Sequence, residues 1–166
     1  MGWNPEVTVA AVVERDGRFL VVEELIGGQL VLNQPAGHLE DRESLVEAAV
    51  RETREETAWR FRPEALVGIY LWRSPDSGRS FLRFAFCGAV DLHDASQPLD
   101  RGIQRALWLT RDQLRAQGAR LRSPMVLRCL DDYLKGRRLP LASVASLDLA
   151  TAADVSEVPE LTVVNL

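Results

Sequence analysis

The segment GHLEDRESLVEAAVRETREETAW runs from Gly37 to Trp59 and contains a helical pattern. Its apolar and small residues recur at helical spacing and fall on one broad face. They are Leu45, Val46, Ala49, Val50, Thr53 and Thr57. Asp41 is a suitable N-cap for this helix, and Pro63 disfavours its continuation past Phe61. The sequence therefore predicts one amphipathic helix that begins after Asp41 and ends before Pro63.

Three glutamates share a second face of the predicted helix. Glu52, Glu55 and Glu56 are spaced i, i+3 and i+4, so they lie within about 100° of arc beside the apolar stripe. Like charges this close repel one another and destabilise the helix. A divalent cation that prefers oxygen ligands, such as Mg²⁺ or Mn²⁺, would offset this repulsion. The alternative is a solvated acidic face that Arg51 and Arg54 neutralise, and the spacing alone leaves both interpretations open.

The segments on either side of this helix have the patterns of β-strands. These strands are expected at residues 7–14, 19–25, 30–32, 65–72, 80–90 and 105–109. Asp16-Gly17 lies between the first two strands and is a strong hairpin signal. Two further helices are expected, near residues 111–117 and from Ser123 to Gly136. This order of elements predicts an α+β fold, in which helices pack on the faces of a mixed sheet.

The helix and the loop before it resemble the Nudix box, a motif of fixed spacing. The matching positions in this chain are Gly37, Glu43, Arg51, Glu52, Thr53, Glu55, Glu56 and Trp59. Ala58 is the one departure, because the family usually has glycine there; alanine in a left-handed helix exit costs about 1–2 kcal/mol. Glu43 would support the geometry of the loop. The resemblance implies a Nudix-like α/β/α sandwich with a mixed β-sheet flanked by helices.

The resemblance also implies roles for the box residues in a metal-dependent hydrolysis. Glu55 and Glu56 would be the main metal ligands, with Glu52 beside them. The backbone carbonyl of Gly37 would add another oxygen ligand, since glycine lets the backbone approach a ligand closely. Glu52 or Glu56 would be the general base that takes the proton of the attacking water. Arg51 would complete this catalytic group by holding a glutamate with its planar guanidinium.

Further phrases outside the box resemble the bacterial NudJ phosphatase subgroup of the family. They include VTVA (7–10), LVVEE (20–24), NQPAGHLE (33–40), FLRF (81–84), LRSP (121–124) and LPL (139–141). Members of that subgroup hydrolyse nucleoside tri- and diphosphates, thiamine pyrophosphate and hydroxymethylpyrimidine pyrophosphate. The resemblance therefore implies a small phosphorylated metabolite as substrate. It implies Mg²⁺ as cofactor, or Mn²⁺, which would neutralise the charge that develops as water attacks phosphorus.

Four residues outside the box are candidates for contacts with the substrate. Arg83 interrupts an apolar strand, so it lies either at a sheet edge or in a cleft, where it would bind phosphate. Trp72 would either stack on a heterocyclic base or belong to the core or its rim. Gln34 precedes the box loop and can read the edge of a base. Arg122 can reach an anion near a helix start, although simple capping by Ser123 is the competing interpretation.

Length and composition favour one small domain. The chain has 166 residues and a net charge of −4, which disfavours nucleic acid polymers and anionic membranes as partners. No apolar run reaches the roughly 20 residues that span a bilayer, and the start lacks a signal-peptide pattern. Cys87 and Cys129 fit reduced, buried thiols, so a cytoplasmic location is expected. We expect a monomer or homodimer with one Nudix hydrolase domain at 1–141 and a tail of unknown role at 142–166.

Two other functions fit parts of the sequence. An ADP-ribose pyrophosphatase is one, because some of these enzymes have a proline sixteen positions after the box, as Pro75 is after Trp59. A turn at Pro75 explains the same residue equally well. A Nudix-fold ligand-binding or regulatory module without catalysis is the other. Such modules commonly lose box carboxylates, whereas Glu52, Glu55 and Glu56 are all present, and the sequence therefore favours an enzyme.

Overall fold

Seven strands form a mixed sheet in the computed structural model, which describes residues 2–147. They are β1 (Glu6–Arg15), β2 (Arg18–Ile26), β3 (Gln29–Asn33), β4 (Ala36–His38), β5 (Trp59–Arg73), β6 (Ser80–His93) and β7 (Ile103–Thr110). Their order is β3-β2-β1-β6-β5, with β4 paired to β1 and β7 paired to β2. β1 and β6 run parallel, while the other pairs are antiparallel. The predicted mixed sheet is confirmed.

Helices cover both faces of the sheet, so the predicted α/β/α sandwich is also confirmed. The helices are α1 (Leu45–Thr57), α2 (Arg111–Ala116) and α3 (Met125–Leu134), with short 3-10 turns at Gly118–Arg120 and Leu141–Ser143. Side chains alternate between faces along a strand. Val9, Ala11 and Val13 of β1 therefore join the core beneath α1. Val12 instead joins the core beneath α2 and α3.

The first hairpin forms where the sequence predicted it, but α1 begins later than predicted. Asp16 and Gly17 both have positive φ, of 52° and 72°, as a tight hairpin turn requires. The N-cap of α1 is Ser44 rather than Asp41, and Ser44 forms a reciprocal capping box with Glu47. This box satisfies two backbone N–H groups at once, which a single cap at Asp41 does not.

Strand β5 is longer than predicted and contains a proline. It begins at Trp59, directly after α1, and its pairing with β6 shifts register on both sides of Pro63. Since β5 is the edge strand of the main sheet order, a proline at a bulge there removes no essential ladder hydrogen bond. The predicted loop around Gly37 is also partly a strand, because β4 pairs with β1.

The C-terminal part of the described chain differs from prediction in two details. α3 has Pro124 as its N-cap residue and no side-chain cap, so the expected capping by Ser123 is not observed. Leu141 and Val144 pack against the core beneath α1, which extends the packed body past residue 141. Most of the predicted tail, residues 148–166, lies outside the described residues. Among residues 2–147, no helix is long and apolar enough to cross a membrane.

Candidate active site

Helix α1 presents its glutamates beside its buried face. Glu52 and Glu56 are buried, with 9% and 8% of their surface exposed, and Glu55 is half-buried. Burial raises the pKa of Glu52 and raises the pKa of Glu56 to about 9. Such shifts mean that the cost of burying these carboxylates outweighs the hydrogen bonds and ion pairs that they receive within the protein. The predicted acidic face is therefore not a solvated surface.

An aspartate from a distant loop completes a group of carboxylates that can hold a metal. Oxygen atoms of Glu52, Glu55 and Asp100 all lie within 4.8 Å of one another. The backbone N–H of Asp100 donates to the carbonyl of Glu55 at 3.0 Å, which fixes the loop against α1. Three carboxylates at this separation fit a hard divalent cation such as Mg²⁺ or Mn²⁺. We call Glu52, Glu55, Glu56 and Asp100 the carboxylate cluster.

Glu56 stands slightly apart from the other members of this cluster. The group of mutually close oxygens contains Glu52, Glu55 and Asp100 but not Glu56. One carboxylate oxygen of Glu56 accepts a hydrogen bond from the backbone N–H of Ala36 at 2.8 Å. This bond ties the end of α1 to strand β4. The three predicted glutamates thus lie together on one side of the site. Asp100 is a further carboxylate there that the sequence did not reveal.

Arg51 organises the cluster from the outside. Its guanidinium donates two hydrogen bonds to Glu43, at 2.7 and 2.9 Å. It also donates to Glu52 at 2.8 Å and to Glu55 at 3.0 Å. The bonds to Glu43 are the main reason that the pKa of Arg51 is raised and that of Glu43 is lowered. Because a planar guanidinium fixes its partners in direction, this network sets the positions of the carboxylates.

Gly37 lies against the Glu52 carboxylate, where no larger residue fits. A Cβ atom built on Gly37 would lie 2.1 Å from the Glu52 carboxyl carbon, well inside van der Waals contact. Strand β4 therefore approaches α1 as closely as a backbone can. At the other end of α1, Ala58 adopts the left-handed conformation with φ 58° and ψ 12°. The expected strain at the missing box glycine is therefore present.

The carboxylate cluster opens into the cavity that contains most of the predicted substrate contacts. The cavity has a volume of about 530 Å³, which suits a small metabolite. Arg83 is 5% exposed on the interior strand β6 and lines this cavity. The sequence left a sheet edge or a cleft open for Arg83, and the cleft is observed. Trp72 is half-buried, lines the cavity and stacks on Phe81 at 5.8 Å between ring centroids. Arg122 is exposed and lines the cavity as well.

Gln34 lies behind Arg83 rather than at the cavity surface. Its amide oxygen accepts a hydrogen bond from Arg83 at 3.2 Å, and its amide nitrogen donates to the carbonyl of Val126 at 2.8 Å. Only 1% of its surface is exposed. The sequence predicted that Gln34 reads the edge of a base. The structure instead turns its amide towards Arg83 and Val126. Its neighbour Asn33 lines the cavity instead.

The fold and the acidic helix of this site define a known class of enzyme. The sequence model of the family described as the NUDIX domain matches residues 4–129 of this chain. The chain therefore belongs to the Nudix family, and it is a Nudix hydrolase, an enzyme class that depends on divalent metal and cleaves diphosphate linkages.

Within the family, the chain is similar to NudJ phosphatases. Phosphatase NudJ of Escherichia coli strain K12 is 41% identical over 146 residues, which cover 88% of this chain and 94% of that protein. A NUDIX hydrolase from Nitrosomonas europaea is 47% identical, with a TM-score of 0.85, and the match covers 87% of this chain and 98% of that one. A MutT NUDIX hydrolase from Burkholderia pseudomallei, 19% identical with a TM-score of 0.63, shares the fold over 78% of this chain and 98% of its own.

Proposed function

We propose that the enzyme hydrolyses phosphoanhydrides of small metabolites, namely nucleoside tri- and diphosphates and thiamine-related pyrophosphates. The observation that carries this proposal is the shared cavity. Glu52, Glu56 and Asp100 of the carboxylate cluster line it, and so do Arg83 and the Trp72–Phe81 pair. Metal ligands, a phosphate-binding cation and an aromatic surface for a heterocycle are the three parts that such substrates need.

The carboxylate cluster would supply the metal site and the general base. Glu52, Glu55 and Asp100 would hold the cation, together with Glu56 and the carbonyl of Gly37. When bound, a divalent cation neutralises phosphate charge and favours ionised carboxylates near it. Mg²⁺ is the cation we propose, and Mn²⁺ has the same preference for oxygen.

Glu52 or Glu56 would take a proton from the attacking water. The water oxygen forms a bond to phosphorus as the bridging P–O bond breaks, and the leaving phosphate departs with the bonding electrons. Arg51 would keep the carboxylates in position, and the N–H of Ala36 would fix Glu56. Arg83 would hold a substrate phosphate, with Gln34 positioning Arg83 from behind and Arg122 adding positive charge at the rim.

A substrate panel with one variant tests the proposal. The products formed from ATP, ADP, thiamine pyrophosphate and ADP-ribose are separated and quantified by chromatography, with Mg²⁺ and with Mn²⁺, because ADP-ribose releases no inorganic phosphate when its diphosphate is cleaved. We expect Glu56→Gln to lower the rate about 1,000-fold on the preferred substrate. Glu64→Gln is the matched control, because Glu64 is exposed and lies outside the cavity, and it should retain full activity.

The panel also separates the two competing functions. A large preference for ADP-ribose would replace the proposed substrates with those of an ADP-ribose pyrophosphatase. Metal-independent binding without any turnover would instead support a non-catalytic module. Equal rates for Glu56→Gln and the unmodified enzyme would contradict the proposed role of the carboxylate cluster.

A further inference from the structure

Three buried polar atoms without a partner converge on the active-site cavity. Among residues 2–147, the buried side-chain atoms that have no hydrogen-bond partner are Thr8 Oγ1, Arg83 Nε and Ser123 Oγ. All three residues line the same cavity, and each is between 5% and 7% exposed. An unsatisfied buried polar group costs about 1–3 kcal/mol. Their coincidence at one place indicates a site that is completed by a ligand.

These three residues come together from separate parts of the fold. Thr8 on β1 and Arg83 on β6 are direct partners in the parallel register, so their backbones are about 4.8 Å apart. Arg83 lies on the same face of β6 as Ala85 and Cys87, which belong to the core beneath α3. Ser123 lies just before the start of α3. We call these three residues, where they line the cavity, the recess.

Arg83 gives the recess a positive charge. No described carboxylate in contact with the recess balances this charge. Arg83 forms no salt bridge with any described carboxylate. Its guanidinium donates instead to the side-chain oxygens of Gln34 at 3.2 Å and Asn33 at 3.5 Å. A buried charge without an ion pair is costly. An anion would remove that cost.

We propose that the recess binds the terminal phosphoryl group of the substrate, and this proposal rests on the proposed function. Arginine Nε–H only donates, and both hydroxyls can donate, so the recess matches an oxygen-rich acceptor. Because its three residues are almost fully buried, their free polar groups can contact only a group that enters the cavity. Substrates that end in a free phosphoryl group fit it. Diphosphates with an organic group on both sides do not.

The test uses variants that remove a hydroxyl with little change of shape. Binding of inorganic phosphate is measured by calorimetry in EDTA, so that neither metal nor turnover contributes. The variants are Thr8→Val, Ser123→Ala and the double variant. We expect each single change to weaken phosphate binding about tenfold, the loss for one hydrogen bond to a charged group. Thermal unfolding of the free variants should be unchanged or shifted upwards, because each change removes an unsatisfied buried group.

Ser80→Ala is the matched control. Ser80 is also buried, but its hydroxyl accepts a hydrogen bond from Trp3 at 3.1 Å, and it lies outside the cavity. This change should lower the melting temperature and leave phosphate binding unaltered. If the recess variants instead lose stability and bind phosphate normally, their hydroxyls are structural and the proposal is overturned. An unmodified protein that fails to bind phosphate overturns it as well.

A second arm tests the substrate class with ADP and ADP-ribose in the same metal-free buffer. ADP should bind at least tenfold more tightly than ADP-ribose, and the double variant should abolish the difference. Equal affinities contradict the terminal phosphoryl assignment. Failure of hydrolysis with phosphate binding intact would overturn the proposed function and leave the recess standing, so the two failures are distinguishable.

Discussion

Two buried acidic regions of this molecule are compensated in opposite ways. Asp132 on α3 is 2% exposed and receives hydrogen bonds from Arg128 at 2.9 Å, Arg137 at 3.1 Å and the Tyr70 hydroxyl at 3.1 Å. In the carboxylate cluster, Arg51 is the one arginine of the described residues that hydrogen-bonds to Glu52 or Glu55, and it also donates to Glu43. One region has two cations for one carboxylate, and the other has several carboxylates for one cation.

The directions of the pKa shifts express this difference. Burial alone would raise the pKa of Asp132, but hydrogen bonds from Arg128 and Tyr70 outweigh it, and that pKa is lowered. Burial dominates for Glu52 and Glu56, and their pKa values are raised. A satisfied buried acid stabilises the fold, whereas an uncompensated group of acids marks a place where an external cation is expected. Four predictions test this distinction.

The largest expected effect is on catalysis. Glu52→Gln should lower the rate of hydrolysis about 1,000-fold, equivalent to about 4 kcal/mol of activation free energy. The metal-free variant should be at least as stable as the unmodified protein, because a poorly compensated buried charge is removed. Steady-state rates and chemical denaturation measure the two quantities. A marked loss of stability would mean that Glu52 stabilises the fold as Asp132 does. This result would contradict the proposed difference between the two acidic regions.

The second prediction concerns metal binding. At a Mg²⁺ or Mn²⁺ concentration 100 times the dissociation constant, the free energy of unfolding should rise by about 2.7 kcal/mol. Asp100→Asn should reduce this gain at the same metal concentration, because one of the three close carboxylates becomes neutral. Asp132→Asn should retain it in full. Denaturation curves with and without metal provide the measurement, and an unchanged response of Asp100→Asn would remove Asp100 from the metal site.

The third prediction is that Asp132→Asn acts on stability alone. We expect a loss of about 2 kcal/mol at neutral pH, since hydrogen bonds to a charged group are weakened, while the hydrolysis rate is unchanged. The direction in which stability changes with pH follows from the lowered pKa of Asp132. The stabilisation is complete above the unfolded pKa of about 3.9 and is lost as pH falls through the folded pKa. The gap between variant and unmodified protein should therefore close below about pH 4, and a gap that persists there would contradict the ionic explanation.

The smallest expected effect separates helix strain from charge crowding. Ala58→Gly should stabilise the protein by about 1 kcal/mol, because glycine adopts the left-handed conformation without strain. A rise in melting temperature of about 2–4 °C would report this. Ala48→Gly is the matched control in the same helix: Ala48 is fully buried in a regular turn, so this change should destabilise. Activity should be unaltered by Ala58→Gly, which would show that the helix end and the carboxylate cluster are independent.

Local patterns in the sequence predicted the parts of the fold that local interactions determine. The Asp16-Gly17 hairpin, the helical face of α1 and the glycine exit after α3 depend on neighbouring residues, and all three are observed. The start of α1 was predicted at the wrong residue because several residues there can cap a helix. The reciprocal pair of Ser44 and Glu47 is the signal that would have decided between them.

The parts of the site that were missed depend on distant pairings. Asp100 lies in a polar loop without any spacing motif, and its backbone N–H bonds to the carbonyl of Glu55, a residue 45 positions earlier in the chain. Thr8 looks like an ordinary strand residue until its partner in the parallel register is known to be Arg83. For Gln34, the residue was identified but not its orientation, because the contact that turns it away from the cavity comes from α3.

The parallel pairing of β1 with β6 also has a consequence for how the chain folds. The two strands are separated by about 75 residues, and joining them closes a long segment whose entropy must be lost first. Such non-local pairing is slow compared with forming a hairpin or a helix. Thr8 and Arg83 meet only at this step, and Ser123 lies further along the chain, so a nascent chain can complete its anion recess only after Ser123 has left the ribosome. Fragments that end before β6 should therefore lack the cavity, because Arg83 on β6 is one of its lining residues.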